Sequence, residues 1–134
     1  MNYGKKLACL KFSKLSGGDC YNIAGNLIVD NKDWLLCHGI VDGQGPLKGQ
    51  KIGHAWNEHQ DVVFDYSNSK KVILRKEQYY ALGNIKKVIK YKREEALRMM
   101  SRYKHYGPWD SSVKSPWQIE QAIERENVKA IHSN

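Results

Sequence analysis

The sequence predicts a single α+β domain in which one helix precedes a small antiparallel sheet and two helices follow it. At 134 residues the chain has the usual length of one domain and is long enough to bury a core. Short runs with period-2 alternation, typical of strands, occupy the middle of the chain, whereas apolar residues at helical spacing lie near its start and toward its end. We therefore treat residues 1–134 as one domain.

The composition favours a cytoplasmic protein without a membrane segment. Hydrophobic residues make up 41% of the chain and charged residues 27%, as in soluble globular proteins. No apolar run approaches the roughly 20 residues that a membrane helix needs, and residues 1–14 lack the continuous apolar stretch of a signal peptide. Three unevenly spaced cysteines fit a reducing compartment better than a disulfide framework.

The first predicted elements are a short strand and a helix. Alternation over residues 5–13 predicts a half-buried strand, which the Ser-Gly-Gly segment at 16–18 terminates. Asp19 is suited to be the N-cap of a helix over residues 20–29. The apolar positions at helical spacing are Ile23, Ala24, Leu27 and Ile28.

Cys20 falls in the first turn of that helix, where the environment favours chemistry. The positive end of the helix dipole favours the thiolate form of its side chain. The N–H groups of a first turn have no intrahelical partner, so they are available to an oxyanion. Cys20 is therefore a candidate nucleophile, and its own amide is a candidate oxyanion donor.

A buried strand over residues 34–41 and a glycine-rich loop over residues 42–50 come next. Cys37 and His38 are adjacent on this strand and therefore point to opposite faces, which argues against a shared zinc ion. Loops of this kind often rim active sites, although the segment can also be a flexible connection. Gln44 in this loop is a candidate substrate contact.

Two strands over residues 52–58 and 62–66 are predicted to pair as a hairpin through a turn at residues 59 and 60. With that loop, His54 lies directly opposite Asp65. Opposed side chains share a face with Cβ atoms roughly 5 Å apart, which is close enough for an imidazole to donate to a carboxylate.

The rest of the chain predicts strands over residues 72–75 and 85–91 and a helix over residues 92–104, while residues 77–82 fit either a helix or a loop. The inward face of the helix should comprise Ala96, Leu97, Met100 and Tyr103.

A last helix is predicted to begin at Pro116. Ser115 is its cap, and Gln118 is placed for a capping box. Its inward face should comprise Ile119, Ala122, Ile123 and, toward its end, Ala130.

Positive charge is concentrated in one segment. The net charge is +8, and residues 70–104 hold twelve Lys or Arg against three Glu. Such a segment either covers a solvated face or attracts an anionic partner such as a nucleic acid, a nucleotide or an acidic protein. Lys86, Lys87 and Lys90 should point outward, and Tyr79 and Tyr80 suit either base stacking or the edge of a core.

Cys20, His54 and Asp65 together form a candidate catalytic triad. The Cys20 thiolate would attack a carbonyl carbon, and His54 would take up its proton and later deliver one to the leaving group. Asp65 would fix the imidazole tautomer and support the imidazolium. Each residue alone has a structural interpretation, but their joint placement favours catalysis.

The same residues resemble a known family. They are Asp19-Cys20 at a helix start, His54-Ala55-Trp56 on a strand and Asp65 on the next strand. This pattern, spread over residues 16–66, resembles the core of transglutaminase-like proteins in the papain-like superfamily. The resemblance implies a papain-like fold and acyl transfer through a thioester, with no cofactor, on a protein, a peptide or a small amide.

Four residues are candidate substrate contacts, namely Trp56, Gln44, Tyr106 and Trp109. Trp56 suits either the core or a pocket wall. Tyr106 and Trp109 belong to an aromatic turn that either closes one side of a cleft or fixes the last helix to the domain. The alternative function is a noncatalytic binding module that keeps this fold and holds an anionic ligand on its basic face or in its cleft.

Overall fold

The computed structural model describes residues 19–132 and shows an α+β fold built on one five-stranded antiparallel sheet. The strands are β1 (Leu35–Asp42), β2 (Lys51–His59), β3 (Val62–Asp65), β4 (Val72–Arg75) and β5 (Lys87–Tyr91). Each begins and ends within two residues of a strand predicted from alternation. The strand predicted over residues 5–13, which contains Cys9, lies outside the described residues.

The helices are α1 (Cys20–Asp30), α2 (Lys76–Leu82), α3 (Arg93–Tyr103) and α4 (Pro116–His132). The positions of α1, α3 and α4 confirm three predicted helices, and α2 shows that the ambiguous residues 77–82 are helical. Short 3-10 turns lie at Gly45–Leu47, Ser67–Ser69 and Ser111–Val113. Within residues 19–132, none of the helices combines the length and the apolar character needed to cross a membrane.

The strands follow the order β4-β3-β2-β1-β5, and each neighbouring pair is antiparallel. β1 and β2 pair along their whole length. β3 pairs only with the last residues of β2, from Asn57 to His59. The first half of β2, which carries His54, therefore extends past the end of β3, and this leaves room for the start of α1 to approach it.

Both faces of the sheet carry a core because successive side chains of a strand point to opposite sides. The core on the α1 face comprises Cys20, Tyr21, Ala24, Ile28, Leu36, Ala55, Tyr91 and Ala96. The core on the other face comprises Cys37, Val41, Trp56 and Val63, with Tyr79 and Tyr80 of α2 packed against it. Cys37 and His38 accordingly lie on opposite faces, as predicted, since His38 contacts Tyr21 and Tyr91.

α3 buries only part of its predicted inward face. Ala96 is fully buried, and Leu97 and Met100 are half-buried. Tyr103 is 45% exposed, so its prediction as an inward residue was wrong. The helix ends immediately afterwards at Lys104, whose φ of 61° is left-handed and turns the chain away.

α4 begins at Pro116 as predicted, and the Ser115 N–H donates to Gln118 Oε1 over 2.7 Å. Its predicted inward face was wrong, because Ile119 is 38% and Ile123 is 55% exposed. Apolar periodicity identifies a stripe on a helix but does not show whether another element lies within reach of it. The side chains of Ala122 and Ala130 lie outside the described residues.

His38 is fully buried on the α1 face among aromatic rings. Its ring centroid lies 5.1 Å from that of Tyr21, 5.3 Å from that of Tyr91 and 4.9 Å from that of Trp109. Neither ring nitrogen has a hydrogen-bond partner among the described residues. Burial, reinforced by the nearby His105, lowers the pKa of His38 to about 3.

Acidification should therefore destabilise the fold through His38. Below about pH 6.5 the unfolded chain protonates this histidine while the folded chain does not, so the free energy of unfolding falls with pH by at most about 1.4 kcal/mol per unit. Urea titrations at about pH 7 and about pH 5 should show a larger loss in the wild type than in His38→Leu. Comparing each protein with itself removes the packing cost of the substitution, and an equal loss in both would contradict the assignment.

Candidate active site

His54 and Asp65 are in direct contact. His54 Nε2 lies 2.8 Å from Asp65 Oδ2. Both side chains are largely buried, with 14% and 12% of their surfaces exposed. The predicted contact between imidazole and carboxylate is present.

The strand register that makes this contact differs from the predicted one. The hairpin turn consists of Gln60 and Asp61 rather than His59 and Gln60, and Gln60 adopts a positive φ of 55°. Moving the turn by one residue shifts opposed positions by two, so Asp65 lies diagonal to His54 instead of opposite it. A shift of two keeps both side chains on one face, because side chains alternate along a strand.

Cys20 joins this pair from the start of α1. Its side chain lies near the His54 imidazole, whose pKa it helps to raise. Burial alone would lower the pKa of His54, but the charges and hydrogen bonds of Cys20 and Asp65 outweigh burial and hold this pKa well above its usual 6.5.

A hydrogen bond ties the turn that follows β3 to the start of α1. The N–H of Asn68, in the turn Ser67–Ser69, donates to Asp19 Oδ1 over 3.2 Å. Asp65 stands just before this turn, and Cys20 follows Asp19. The contact therefore holds the carboxylate and the sulfur on the same side of the domain although they are distant in sequence.

Asp19 occupies the N-cap position of α1, as predicted, but its side chain makes no capping hydrogen bond. Its Oδ2 has no hydrogen-bond partner among the described residues, and burial raises the pKa of this carboxyl group. The first-turn N–H groups of α1 are thus not occupied by this carboxylate, which leaves them available to an anion beside Cys20.

Asp65 accepts hydrogen bonds from two further residues. Ser67 donates to Oδ1 through its hydroxyl, over 2.6 Å, and through its N–H, over 3.1 Å. The Tyr79 hydroxyl donates to Oδ2 over 2.6 Å. Burial alone would raise the pKa of Asp65, but His54 and these donors hold it well below its usual range.

Ser67 and Tyr79 were not identified from the sequence as site residues. Ser67 had a detectable signal, because a serine two residues after an aspartate often closes an Asx turn on it. Tyr79 had no such sequence signal, because its hydrogen bond to Asp65 depends on where the short helix α2 packs against β3. Sequence spacing carries no information on that placement.

Trp56 is fully buried beneath the site. Its ring centroid lies 6.1 Å from that of His54, and its Nε1 donates to Glu58 Oε2 over 3.0 Å. Of the two positions that the sequence allowed for Trp56, the core and a pocket wall, the structure shows the core. A direct contact of Trp56 with substrate stays a prediction.

The other three candidate substrate contacts lie on two separate segments. Gln44 is exposed on the loop between β1 and β2. The Tyr106 hydroxyl donates to Asn26 of α1, and Trp109 Nε1 donates to the carbonyl of His105 while its ring packs on His38. The aromatic turn is therefore fixed to α1 and the sheet, and the contact of these residues with substrate stays a prediction.

Part of the basic segment is neutralised by one buried carboxylate. Glu58 is almost fully buried and accepts a hydrogen bond from Lys90 Nζ over 2.8 Å, with Lys76 Nζ at 3.6 Å. Lys90 is exposed, as predicted, while its ammonium group reaches Glu58. Lys86 and Lys87 are exposed. Binding of an anionic ligand at this segment stays a prediction.

No family model, curated protein or solved structure matches this chain. The resemblance to transglutaminase-like proteins therefore stays a prediction that rests on the residues and their arrangement.

Among residues 19–132, no three His, Cys, Asp or Glu side chains are grouped so as to hold a metal ion.

Replacing Asp65 by Asn should lower the titration midpoint of His54 by about one pH unit or more, because the imidazolium loses its buried counter-charge. The imidazole Cε1–H resonance, followed by NMR against pH and assigned with His54→Gln, gives this midpoint. Asp61→Asn, in the exposed turn of the same hairpin, is the matched control and should leave the midpoint unchanged. An unchanged midpoint in Asp65→Asn would show that the pair does not carry charge.

Proposed function

We propose that this protein is a cysteine hydrolase or acyltransferase that acts on an amide or a related carbonyl through a thioester. One observation carries the proposal: His54 lies 2.8 Å from the Asp65 carboxylate and near the side chain of Cys20, which begins a helix. A histidine oriented by an acid and placed next to a cysteine is the arrangement that activates a thiol nucleophile.

The reaction would proceed in two halves. In the first, His54 takes up the Cys20 thiol proton, and the sulfur attacks the carbonyl carbon to form the S–C bond. The bond to the leaving group then breaks as the His54 imidazolium donates that proton to it. In the second, water or an amine attacks the thioester while His54 accepts its proton, and the sulfur leaves. The raised pKa of His54 supports its role as the proton donor of the first half.

The start of α1 supports the proposal further. An oxyanion forms on the carbonyl oxygen in each half of the reaction, and it needs hydrogen-bond donors next to the sulfur. The Cys20 amide is in the first turn and has no intrahelical acceptor.

The burial of Cys20 restricts the substrate. The residue is 2% exposed, so only a slender substrate group would reach its sulfur. This favours a small amide or an extended peptide segment over a rigid folded surface. The helix-strand-strand placement of Cys20, His54 and Asp65 is also what a papain-like, transglutaminase-like domain requires, and we propose that classification for the fold.

Iodoacetamide should label Cys20 selectively at about pH 7, because a cysteine beside a histidine that can take up its proton reacts faster than one without such a partner. Cys37 is the internal reference, since it is fully buried and burial raises the pKa of its thiol. Peptide mapping after timed quenching gives the rate at each cysteine. We expect labelling of Cys20 to exceed that of Cys37 by at least about tenfold.

His54→Ala should suppress the labelling of Cys20 by about tenfold or more, because the sulfur loses the imidazole that takes up its proton. His59→Ala is the matched control: this histidine ends the same strand and contacts only the Asp33 carbonyl among the hydrogen bonds found for its ring. Slow labelling of Cys20 in the wild type, at a rate indistinguishable from that of Cys37, would contradict the proposed enzymatic function and favour the noncatalytic binding module.

A further inference from the structure

Helix α2 presents two consecutive tyrosines to two different buried carboxylates. The Tyr79 hydroxyl donates to Asp65 Oδ2 over 2.6 Å, and the Tyr80 hydroxyl donates to Glu58 Oε2 over 2.5 Å. Both are short, charge-assisted hydrogen bonds. Only the first of them touches the candidate active site.

The Tyr79 bond goes to the same oxygen that faces His54 Nε2. Ser67 occupies the other oxygen with two donors. With donors on both oxygens, the carboxylate of Asp65 cannot rotate without breaking at least one short hydrogen bond. Its orientation toward the imidazole is therefore fixed from β3, from the following turn and from α2.

Sharing an oxygen also has an electrostatic consequence. Each hydrogen bond donated to a carboxylate draws on its negative charge, so less of that charge is available to a second partner. Tyr79 therefore weakens the attraction between Asp65 and a protonated His54. Removing the hydroxyl should strengthen that attraction, provided the carboxylate stays in place.

We propose that Tyr79 is a positioning residue of the Cys20–His54–Asp65 site, which it serves by fixing the Asp65 carboxylate and by limiting how strongly that carboxylate holds the proton on His54. The inference rests on the proposed function for its purpose, since a general acid must release its proton. Tyr79 does not touch the reacting atoms and acts only through Asp65.

Few titratable groups bear directly on His54. Cys20 and Asp19 act from the start of α1, and Asp65 acts from β3. Tyr79 reaches the imidazole through Asp65 and itself remains protonated, because burial and the neighbouring carboxylate raise its pKa. A change at Tyr79 should therefore appear in the titration of His54.

The test compares Tyr79→Phe with Tyr80→Phe in the full chain by NMR titration of the His54 Cε1–H resonance. Tyr79→Phe should raise the midpoint by about 0.5 unit, equivalent to about threefold tighter proton binding. Tyr80→Phe removes an equivalent hydroxyl from the next residue of the same helix and should leave the midpoint unchanged. A purely structural role of Tyr79 predicts the opposite sign, because a loosened, wetter site would let the midpoint fall toward 6.5.

Two further variants complete the experiment. In a Cys20→Ser background the upward shift should persist, because it acts through Asp65 and not through the sulfur. Ser67→Ala removes a donor from the other oxygen and should shift the midpoint in the same direction. The absence of that upward shift would overturn the electrostatic step of the inference even if Tyr79→Phe does not fold. No shift, a downward shift, or an equal shift in Tyr80→Phe would overturn the inference.

These outcomes are separable from a failure of the proposed function. An upward shift in Tyr79→Phe together with an unreactive Cys20 would support the coupling between Tyr79 and His54 but contradict the proposed enzymatic function. A reactive Cys20 with an unmoved midpoint would keep the enzyme and refute the role of Tyr79.

Discussion

The buried contact between His54 and Asp65 is the interaction on which the arrangement of this domain depends. Taking two charged groups out of water costs several kcal/mol per ion, and their mutual attraction compensates only when the remaining hydrogen-bonding capacity is also satisfied. The protein meets that condition on the carboxylate with donors from Ser67 and Tyr79, and it places Cys20 near the imidazole. β3, α2 and α1 must therefore all be in place for the pair to form.

Glu58, on the same strand β2 as His54, is a second buried charge that is satisfied by hydrogen bonds. Its carboxylate is nearly inaccessible to water, and it accepts hydrogen bonds from Trp56, Tyr80 and Lys90. Its pKa is lowered because these donors outweigh the effect of burial. Trp56 links the two carboxylate sites, since its ring lies beside His54 while its Nε1 bonds Glu58. The support beneath the histidine is thus a rigid, hydrogen-bonded layer, which is the setting that preorganised chemistry requires.

The part of the site that could be predicted from the sequence is the part governed by short-range periodicity. The face shared by His54 and Asp65 was predicted correctly in spite of a wrong register, because an error of two positions leaves a period-2 pattern unchanged. Cys20 was placed at a helix start by the apolar spacing that follows it. These three residues depend on local pattern and on one hairpin.

The remainder depends on how separate elements pack, and local pattern does not encode that. Tyr79 lies on a helix too short to be distinguished from a loop by periodicity. Asp19 has the residue type of an N-cap, yet a backbone N–H from a distant turn takes its carboxylate instead. The apolar stripe of α4 was real as a pattern, but Ile119 and Ile123 do not pack inward. In each case the deciding partner is far away in sequence.

The proposed reaction requires a covalent acyl intermediate on the Cys20 sulfur. Incubation with an activated acyl ester, p-nitrophenyl acetate, followed by rapid acid quenching and peptide mass spectrometry, detects it directly. We predict one acetyl group on the peptide that contains Cys20, its loss over time by transfer to water or to an added amine, and its absence in Cys20→Ser. Acetylation spread over lysines, confined to other cysteines, or unchanged in Cys20→Ser would contradict the account.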